Sequence, residues 1–373
     1  FKQKPAYEIP LRLVGSEMVI RDRPGRSYTV EQKVEAGREL DRLGVSVIQA
    51  GFPVTGERDK NATRRLAAET DAAVEGIARA VPGDIDAVVE ADADRLDIFA
   101  PLSAGQLEHV MDKEYEEMLG IIGDAIDHAR DYDIPMTLTL MDAFRTDPDR
   151  LIEAFDRFSY PVHLGLADTV GARTPAYVES LLEDLSAGGV DLSRAGVHFH
   201  EDLGVGTANT LKAAEMGVGK ADVSIANLGE RAGNAALEEV VVSDSLESGS
   251  ALDVEAGELI PVCLEVLDIL GENLDPRKAI LGEEVTSHEA GIHTAAMLDE
   301  PSVFEPFDPE TFGGRRELVF GEGTGRGGAR KLIERAGGEP TDELVARLLD
   351  RLDEEGPLDQ TEATELAAEV LDE

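Results

Sequence analysis

The chain has 373 residues, of which 42% are hydrophobic, and its 77 Asp and Glu residues against 35 Lys and Arg residues give a net charge of −42. This length and apolar content suit one large domain with a smaller appendage, or two domains, and exclude a disordered protein. Because the negative charge is spread over the whole chain, it disfavours nucleic acid as a partner.

The charged surface is typical of a protein adapted to high salt. Most basic residues are Arg, Trp is absent, and acidic runs such as Asp350–Glu355 lie on predicted helix faces. Salt screens the repulsion between like charges, so we predict a halophilic protein; an acidic functional surface is the alternative.

The single cysteine, Cys263, excludes an intrachain disulfide and a thiolate-rich metal site. No apolar run is long enough to span a membrane, and Phe1–Pro5 lacks a signal-peptide core, so we predict a cytoplasmic protein.

In the first two thirds of the chain, short β-type apolar runs alternate with segments of helical periodicity. The predicted strands are Met18–Ile20, Val45–Ile48, Ala73–Ile77, Leu96–Phe99, Met136–Leu140, Val162–Leu166, Gly196–Phe199 and Ala221–Ile225. The predicted helices between them are Thr29–Leu43, Asp59–Glu69, Asp84–Ala91, Tyr115–Tyr132, Asp147–Phe158, Pro175–Leu185 and Thr207–Met216. This order predicts an α/β fold, a (β/α)8 TIM barrel, with a doubly wound open sheet as the alternative.

The alternation ends near residue 240, and we predict a barrel domain over residues 1–245 and a mostly helical subdomain over 246–373. Helical segments near Glu255–Leu270, 329–337, 341–354 and 361–371 flank an irregular stretch at 282–328. The tail is predicted to pack on the barrel or to be exchanged between barrels as a lid. If the barrel is correct, catalytic groups belong at the carboxyl ends of its strands.

Two histidines end the seventh predicted strand. Side chains alternate along a strand, so His198 and His200 point to one side and Phe199 to the other. Two imidazoles on one face suit a metal site, which then needs a carboxylate from elsewhere; packed or solvated histidines are the alternative. Asp22, after the first predicted strand, could supply that carboxylate, and the neighbouring Arg21 could neutralise an anion; taken alone, these two residues favour a charged turn before Pro-Gly.

Other candidates follow other strands. Asn234 closes a Gly-rich turn after the eighth strand, and Thr169 follows the sixth strand, where it could bind a substrate carboxylate or belong to a capped turn. Arg79 and Thr139 could hold an anionic substrate or serve ordinary surface and packing roles. His293, in the irregular tail, could act as a general base on a lid.

Several motifs together resemble the isopropylmalate, homocitrate and citramalate synthase family, metal-dependent barrel enzymes that condense acetyl-CoA with a 2-oxo acid and are related to hydroxymethylglutaryl-CoA lyase. The motifs span most of the chain: IRD (20–22), LGVSVIQAGFP (43–53), DIDA (84–87), RTDP (145–148), ADTVGARTP (167–175), HFHEDLG (198–204), NLGERAGNA (227–235) and HEAGIH (288–293).

The resemblance implies a divalent metal (Mg, Mn or Zn), bound by Asp22, His198 and His200, with Asn234 completing or approaching its ligand shell. It further implies that Arg21 stabilises an enolate-like charge and that Thr169 holds the carboxylate of the 2-oxo acid. His293 resembles the family base that deprotonates the acetyl methyl group, supplied by the tail of a partner subunit in a homodimer. The expected partners are therefore acetyl-CoA and a 2-oxo acid.

The chain also departs from the family pattern. Gln49 replaces a strand-end Glu, Glu201 replaces an Asn, and the loop around Asp22 is shorter. Met141 stands where the family has the Glu that orients the catalytic His, so this Glu is missing unless Asp142 substitutes for it. Gln49 can still hydrogen-bond, and we keep it as a substrate-binding candidate. The leading prediction is a Claisen-type condensing enzyme. A related carbon–carbon lyase and a catalytically impaired paralogue, which binds a metabolite or an active synthase, are the alternatives.

Overall fold

A computed structural model of the chain describes residues 12–15, 27–159, 163–248, 252 and 254–373. The chain divides into two compact units, Phe1–Asn273 and Leu274–Glu373. In the described residues, no helix is both long enough and apolar enough to cross a membrane.

Parallel strands in the first unit close into a barrel in sequence order, and the last strand pairs with the first. They are β1 (Arg12–Gly15), β2 (Val47–Gly51), β3 (Ala73–Arg79), β4 (Arg95–Pro101), β5 (Met136–Met141), β6 (His163–Asp168), β7 (Ala195–Phe199) and β8 (Lys220–Val223). The predicted TIM barrel is confirmed. The first barrel strand precedes the predicted Met18–Ile20, which lies outside the described residues.

Helices follow the strands, as predicted. They are α1 (Val30–Leu43), α2 (Glu57–Glu69), α3 (Pro82–Glu90), α4 (Ala104–Gln106), α5 (Tyr115–Arg130), α6 (Pro148–Arg157), α7 (Pro175–Ala187), α8 (Gly206–Glu215), α9 (Leu237–Ser248) and α10 (Leu259–Leu270). Local signals set several ends: α1 begins with a capping box of Thr29 and Gln32 and ends at Gly44 in the left-handed conformation.

The helix α10 packs on α1, within the first unit. The Gln32 side-chain amide donates to the Ile269 carbonyl at 2.9 Å, and the Glu255 amide donates to the Leu43 carbonyl at 2.9 Å. The predicted domain boundary at residues 245 and 246 therefore lies inside this compact unit.

Aliphatic side chains pack between the strands and the helices, whereas the barrel interior is polar. Along β5, Leu138 and Leu140 are fully buried, while the alternating Thr137 and Thr139 bond to buried carboxylates of β3 and β4. Branched aliphatic residues usually fill the interior of such a barrel. Here charged groups replace several of them, which brings polar side chains up to the carboxyl ends of the strands.

The second unit is mostly helical. It contains β9 (Ser287–His288), which pairs in parallel with β10 (Glu317–Leu318), and the helices α11 (Gly291–Met297), α12 (Arg326–Arg335), α13 (Asp342–Glu355) and α14 (Gln360–Asp372). Phe320, Leu332 and Leu348 lie in its separate apolar core. The three predicted C-terminal helices are confirmed.

Candidate metal and substrate site

His198 and His200 lie at the carboxyl end of β7 with their rings on the same side. Their Nε2 atoms are 3.2 Å apart, and both residues are buried, at 7% and 8% exposure. Phe199 points the other way and packs against Phe144, with 4.8 Å between ring centroids. The alternation of a β-strand, with an aromatic anchor on its outer face, thus makes two imidazoles converge.

The spacing of the two nitrogens fits a shared metal ion. Zinc–nitrogen bonds of about 2.0 to 2.1 Å in tetrahedral or octahedral geometry place neighbouring ligand atoms about 2.8 to 3.4 Å apart. Asn234 pairs with His200 in a short antiparallel bridge; its Oδ1 is buried and has no hydrogen-bond partner among the described residues. Two imidazoles and an amide oxygen suit a divalent cation.

The other predicted metal and charge-stabilising residues, Asp22 and Arg21, lie outside the described residues. Within the described ranges, no group of three or more His, Cys, Asp and Glu side chains gathers around a possible metal position. The described part of the candidate site therefore consists of His198, His200 and Asn234.

The turn after β8 is shaped to present Asn234. Gly233 has φ of +88°, and a Cβ atom there would lie 1.6 Å from the carbonyl oxygen of Asn227. The Asn227 side chain donates to the Asn234 carbonyl at 2.8 Å. Because only glycine fits at position 233, the Gly-rich motif fixes the backbone beside the Asn234 amide.

Arg231 connects three strand ends. Its guanidinium donates to both oxygens of Asp202, at 2.8 and 2.9 Å, and to the backbone carbonyl of Thr169 at 2.9 Å. Gly171 allows this approach, because a Cβ there would lie 2.6 Å from the Asp202 carboxylate. The turns after β6, β7 and β8 are therefore held together beside the histidine pair.

Thr169 accepts a hydrogen bond at its hydroxyl oxygen from the Asp142 amide at 2.8 Å. Since the hydroxyl is the acceptor in this bond, its own proton remains available for donation. Both oxygens of Asp142 accept bonds from Arg145, at 2.7 and 2.8 Å, and this contact raises the pKa of Arg145. Asp142 is therefore committed to Arg145, and nothing in this arrangement lets it replace the family glutamate at Met141.

Buried charges lie below the histidines. Lys220 contacts Glu75 at 3.2 Å and Asp222 at 3.5 Å, and Arg95 contacts Glu75 at 3.4 Å. Burial opposes ionisation of Glu75, but the positive charges of Lys220 and Arg95 outweigh it and lower its pKa. Burial likewise opposes protonation of Lys220, yet Asp222 and Glu75 raise its pKa. These groups form a buried ionic network.

Three predicted substrate-binding residues have protein partners. The Gln49 amide donates to Glu75 at 3.5 Å, and the Thr139 hydroxyl contacts both oxygens of Asp97 at 2.8 and 2.9 Å. Arg79 forms a two-point pair with Asp84 at 2.6 and 3.0 Å. A role of Gln49, Thr139 or Arg79 in substrate binding stays a prediction.

Glu201 caps a helix. Its carboxylate accepts bonds from the Thr207 amide at 2.7 Å and the Thr207 hydroxyl at 3.2 Å, in the first turn of α8. The residue at the helix boundary, Val205, makes no side-chain cap. This departure from the family pattern therefore serves the start of α8.

His293 belongs to the second unit. Its ring stacks on Phe304, with 4.0 Å between centroids, and lies 6.3 Å from the ring of His288. Burial lowers the pKa of His288. A role of His293 as the base stays a prediction.

Sequence reasoning missed the charged residues inside the barrel and the role of Arg231. The sequence does contain a signal for the charged residues inside the barrel. Lys220 and Asp222 are two residues apart in a short strand, and Glu75 interrupts an apolar run. Charges spaced by two residues in a buried strand face the same side, so they indicate an ionic interior.

Comparison with known proteins gives matches along most of the chain. The HMGL-like family model matches residues 21–255, and the model described as homocitrate synthase post-HMGL domain-like matches residues 280–357. A probable 2-isopropylmalate synthase of Methanopyrus kandleri is 36% identical over 342 residues, 89% of this chain and 67% of that protein. A homocitrate synthase of the same organism is 36% identical over 92% of this chain and 88% of its own length.

Solved structures agree on the fold. Hydroxymethylglutaryl-CoA lyase from Bacillus subtilis superposes with a TM-score of 0.63 at 22% identity, covering 72% of this chain and 97% of the lyase. The lyase from Pseudomonas aeruginosa gives a TM-score of 0.62 at 18% identity, covering 71% of this chain and 94% of that protein. At these identities, the likeness concerns the barrel fold alone.

Proposed function

This chain belongs to the family of isopropylmalate, homocitrate and citramalate synthases, and we propose that it condenses acetyl-CoA with a small 2-oxo acid. The observation that carries the proposal is the 3.2 Å approach of the His198 and His200 Nε2 atoms beside the buried amide of Asn234. These atoms are metal-binding donors at the end of the barrel where such enzymes do their chemistry.

In the proposed reaction, a base removes a proton from the acetyl methyl group, and this carbon forms a bond to the carbonyl carbon of the 2-oxo acid. Water then cleaves the thioester and releases CoA. His198, His200 and Asn234, with Asp22, would hold a divalent ion, Mg, Mn or Zn, which when bound supplies Lewis acidity to the substrate carbonyl. The base is His293 in this proposal, contributed by the partner subunit of a homodimer in the cytoplasm.

Thr169 has a definite task in this scheme. Its hydroxyl oxygen is held by the Asp142 amide, so its proton is directed to another acceptor. We assign that acceptor as the carboxylate of the 2-oxo acid, and Arg21 as the group that balances the enolate-like charge. Relatives named isopropylmalate, homocitrate and citramalate synthase are each 36% identical to this chain. Sequence identity therefore does not distinguish among their 2-oxo acids, and the assay below compares them.

The test is thiol release from acetyl-CoA in molar KCl, with 3-methyl-2-oxobutanoate, pyruvate or 2-oxoglutarate and Mg, Mn or Zn. We expect release with one of these acids, and its loss in His198→Ala. The control is His128→Ala, which removes a histidine paired with Asp86 on the helices α3 and α5. Absence of turnover with every acid, from folded and metal-loaded protein, would refute the proposal, and product analysis separates it from a lyase reaction.

One observation favours a second candidate, a catalytically impaired paralogue that binds a metabolite. Met141 ends β5 where the family has a glutamate, and the adjacent Asp142 is fully occupied by Arg145. This candidate predicts binding of a 2-oxo acid by calorimetry without thiol release. Measurable turnover with any of the three acids would exclude it.

A further inference from the structure

Asp222 and His198 face each other across two neighbouring strands. They are directly opposite in the pairing of β7 with β8, and the Oδ2 atom of Asp222 lies 3.6 Å from Nδ1 of His198. The Nε2 atom of the same ring lies beside His200. The two nitrogens of the His198 ring therefore face different groups, the carboxylate on one side and the proposed metal position on the other.

Lys220 holds Asp222 from the opposite side. Its ammonium group lies 3.5 Å from Oδ1 of Asp222 and 3.2 Å from Glu75, and Arg95 is the second cation beside Glu75. The carboxylates of Asp222 and Glu75 thus lie against the cations of Lys220 and Arg95. A buried carboxylate without such partners is costly, so these contacts compensate the burial of Asp222 and fix the direction of its side chain.

An imidazole that binds a metal through Nε2 carries its proton on Nδ1, and a carboxylate that accepts this proton fixes the tautomer and the ring orientation. Nδ1 of His198 and Oδ2 of Asp222 are 3.6 Å apart, farther than in a hydrogen bond of about 3 Å. A small rotation of either side chain brings the two atoms within hydrogen-bond distance. The two oxygens of Asp222 face different groups, since Oδ1 lies toward the Lys220 ammonium and Oδ2 toward Nδ1 of His198.

We infer that Asp222 is a positioning residue: it orients the His198 imidazole toward the metal, and Lys220 and Glu75 hold Asp222 in place. This inference rests on the proposed metal-dependent function. It adds a chain of contacts that runs from β3 through β8 to the metal-binding end of β7. Asp222 itself does not touch the substrate, so its removal acts through the geometry of His198.

The test is the affinity of the full chain for Zn²⁺ or Mn²⁺ alone, measured by competition with a chromophoric chelator in molar KCl. We expect Asp222→Asn to weaken binding about 10-fold to 100-fold, as loss of an outer partner of a metal ligand does, without changing the stoichiometry. The matched control is Asp59→Asn, which neutralises another buried carboxylate of the same unit, one that pairs with Lys33 between α1 and α2. It should leave the affinity within about twofold of wild type, since it lies outside the proposed chain.

A second measurement needs no variant and separates orientation from stability. Long-range ¹⁵N–¹H NMR of histidine-labelled, metal-loaded wild-type protein should show His198 with its proton on Nδ1. A proton on Nε2, or equal metal affinities of Asp222→Asn and wild type, would overturn the inference even if thiol release occurs. Conversely, metal binding that depends on Asp222 without thiol release would support the inference and refute the proposed function.

Discussion

The guanidinium of Arg231 and the carboxylate of Asp202 form a two-point ion pair, with nitrogen–oxygen distances of 2.8 and 2.9 Å, and the same guanidinium holds the carbonyl of Thr169. One side chain thus joins the turns after three consecutive strands. Arg suits this position because its planar group donates several bonds in fixed directions, which Lys cannot reproduce.

We predict that Arg231→Lys raises KM for the 2-oxo acid about 10-fold and lowers kcat less, because the turn that carries Thr169 loses its tether. Steady-state kinetics with varied 2-oxo acid measures this split, and chelator competition should show nearly unchanged metal affinity. Arg64→Lys is the control, since Arg64 pairs with Asp92 on the exposed surface. An unchanged KM in Arg231→Lys would contradict the role of the tether.

Gln49 stands where the family has a glutamate, and its buried neighbour is the carboxylate of Glu75. The two side chains are paired across β2 and β3, and both are fully buried. We predict that Gln49→Glu, which places two carboxylates side by side, destabilises the fold by about 2 to 4 kcal/mol. The double variant Gln49→Glu with Glu75→Gln should recover most of this loss, as measured by urea unfolding. Additive effects of the two changes would show that the two side chains are not coupled.

The buried pair of Lys33 and Asp59 predicts a specific acid sensitivity. Burial opposes ionisation of Asp59, but the charge of Lys33, 2.8 Å away, outweighs it and lowers its pKa. A lowered pKa in the folded state stabilises the protein above the unfolded value of about 3.9, and this contribution disappears as pH falls through the folded pKa. Asp59→Asn should therefore show a shallower loss of stability than wild type between about pH 5 and pH 3.

The same pair can be tested at neutral pH. Lys33→Met leaves a buried carboxylate without its cation and should cost about 3 kcal/mol or more of unfolding free energy. The control is Lys60→Met, whose partner Glu90 is largely exposed, and which should change stability by less than about 0.5 kcal/mol. Similar losses in both variants would argue against a special contribution of the buried pair.

The net charge of −42 predicts a strong dependence of stability on salt. The screening length falls from about 10 Å at 0.1 M to about 3 Å at 1 M salt, so repulsion between surface carboxylates fades over this range. We expect the thermal unfolding midpoint to rise steeply when KCl increases from tenths molar to several molar. A midpoint that does not respond to KCl would refute the prediction of a halophilic protein.

Much of the fold could be predicted because its signals are local. The strand His163–Asp168 reads as a short apolar run, and the helix Val30–Leu43 carries a capping residue, an apolar face and a terminal glycine. The convergence of His198 and His200 could also be predicted, because side chains alternate along a β-strand and residues two apart share a face. The position of β1 was missed, as its four residues carry little periodicity of their own.

The environment of the site could not be predicted, because it depends on register between strands that are far apart in sequence. Glu75 and Lys220 are in contact across the barrel. The sequence around either residue does not indicate that the other is its partner. Likewise, the sequence places Glu201 directly after the histidine pair, in place of a family Asn, whereas in the structure its carboxylate caps α8. Closing a barrel decides such pairings, and a single sequence contains little information about them.

The ionic network of Glu75, Arg95, Lys220 and Asp222 lies inside a molecule whose exterior is strongly acidic. Mobile ions screen charges at the surface far more than charges within a barrel. The protein therefore has two electrostatic environments, one that varies with the ions around it and one that is insulated from them. Adaptation of the exterior to salt can proceed through surface substitutions while the arrangement around the histidine pair is left unchanged.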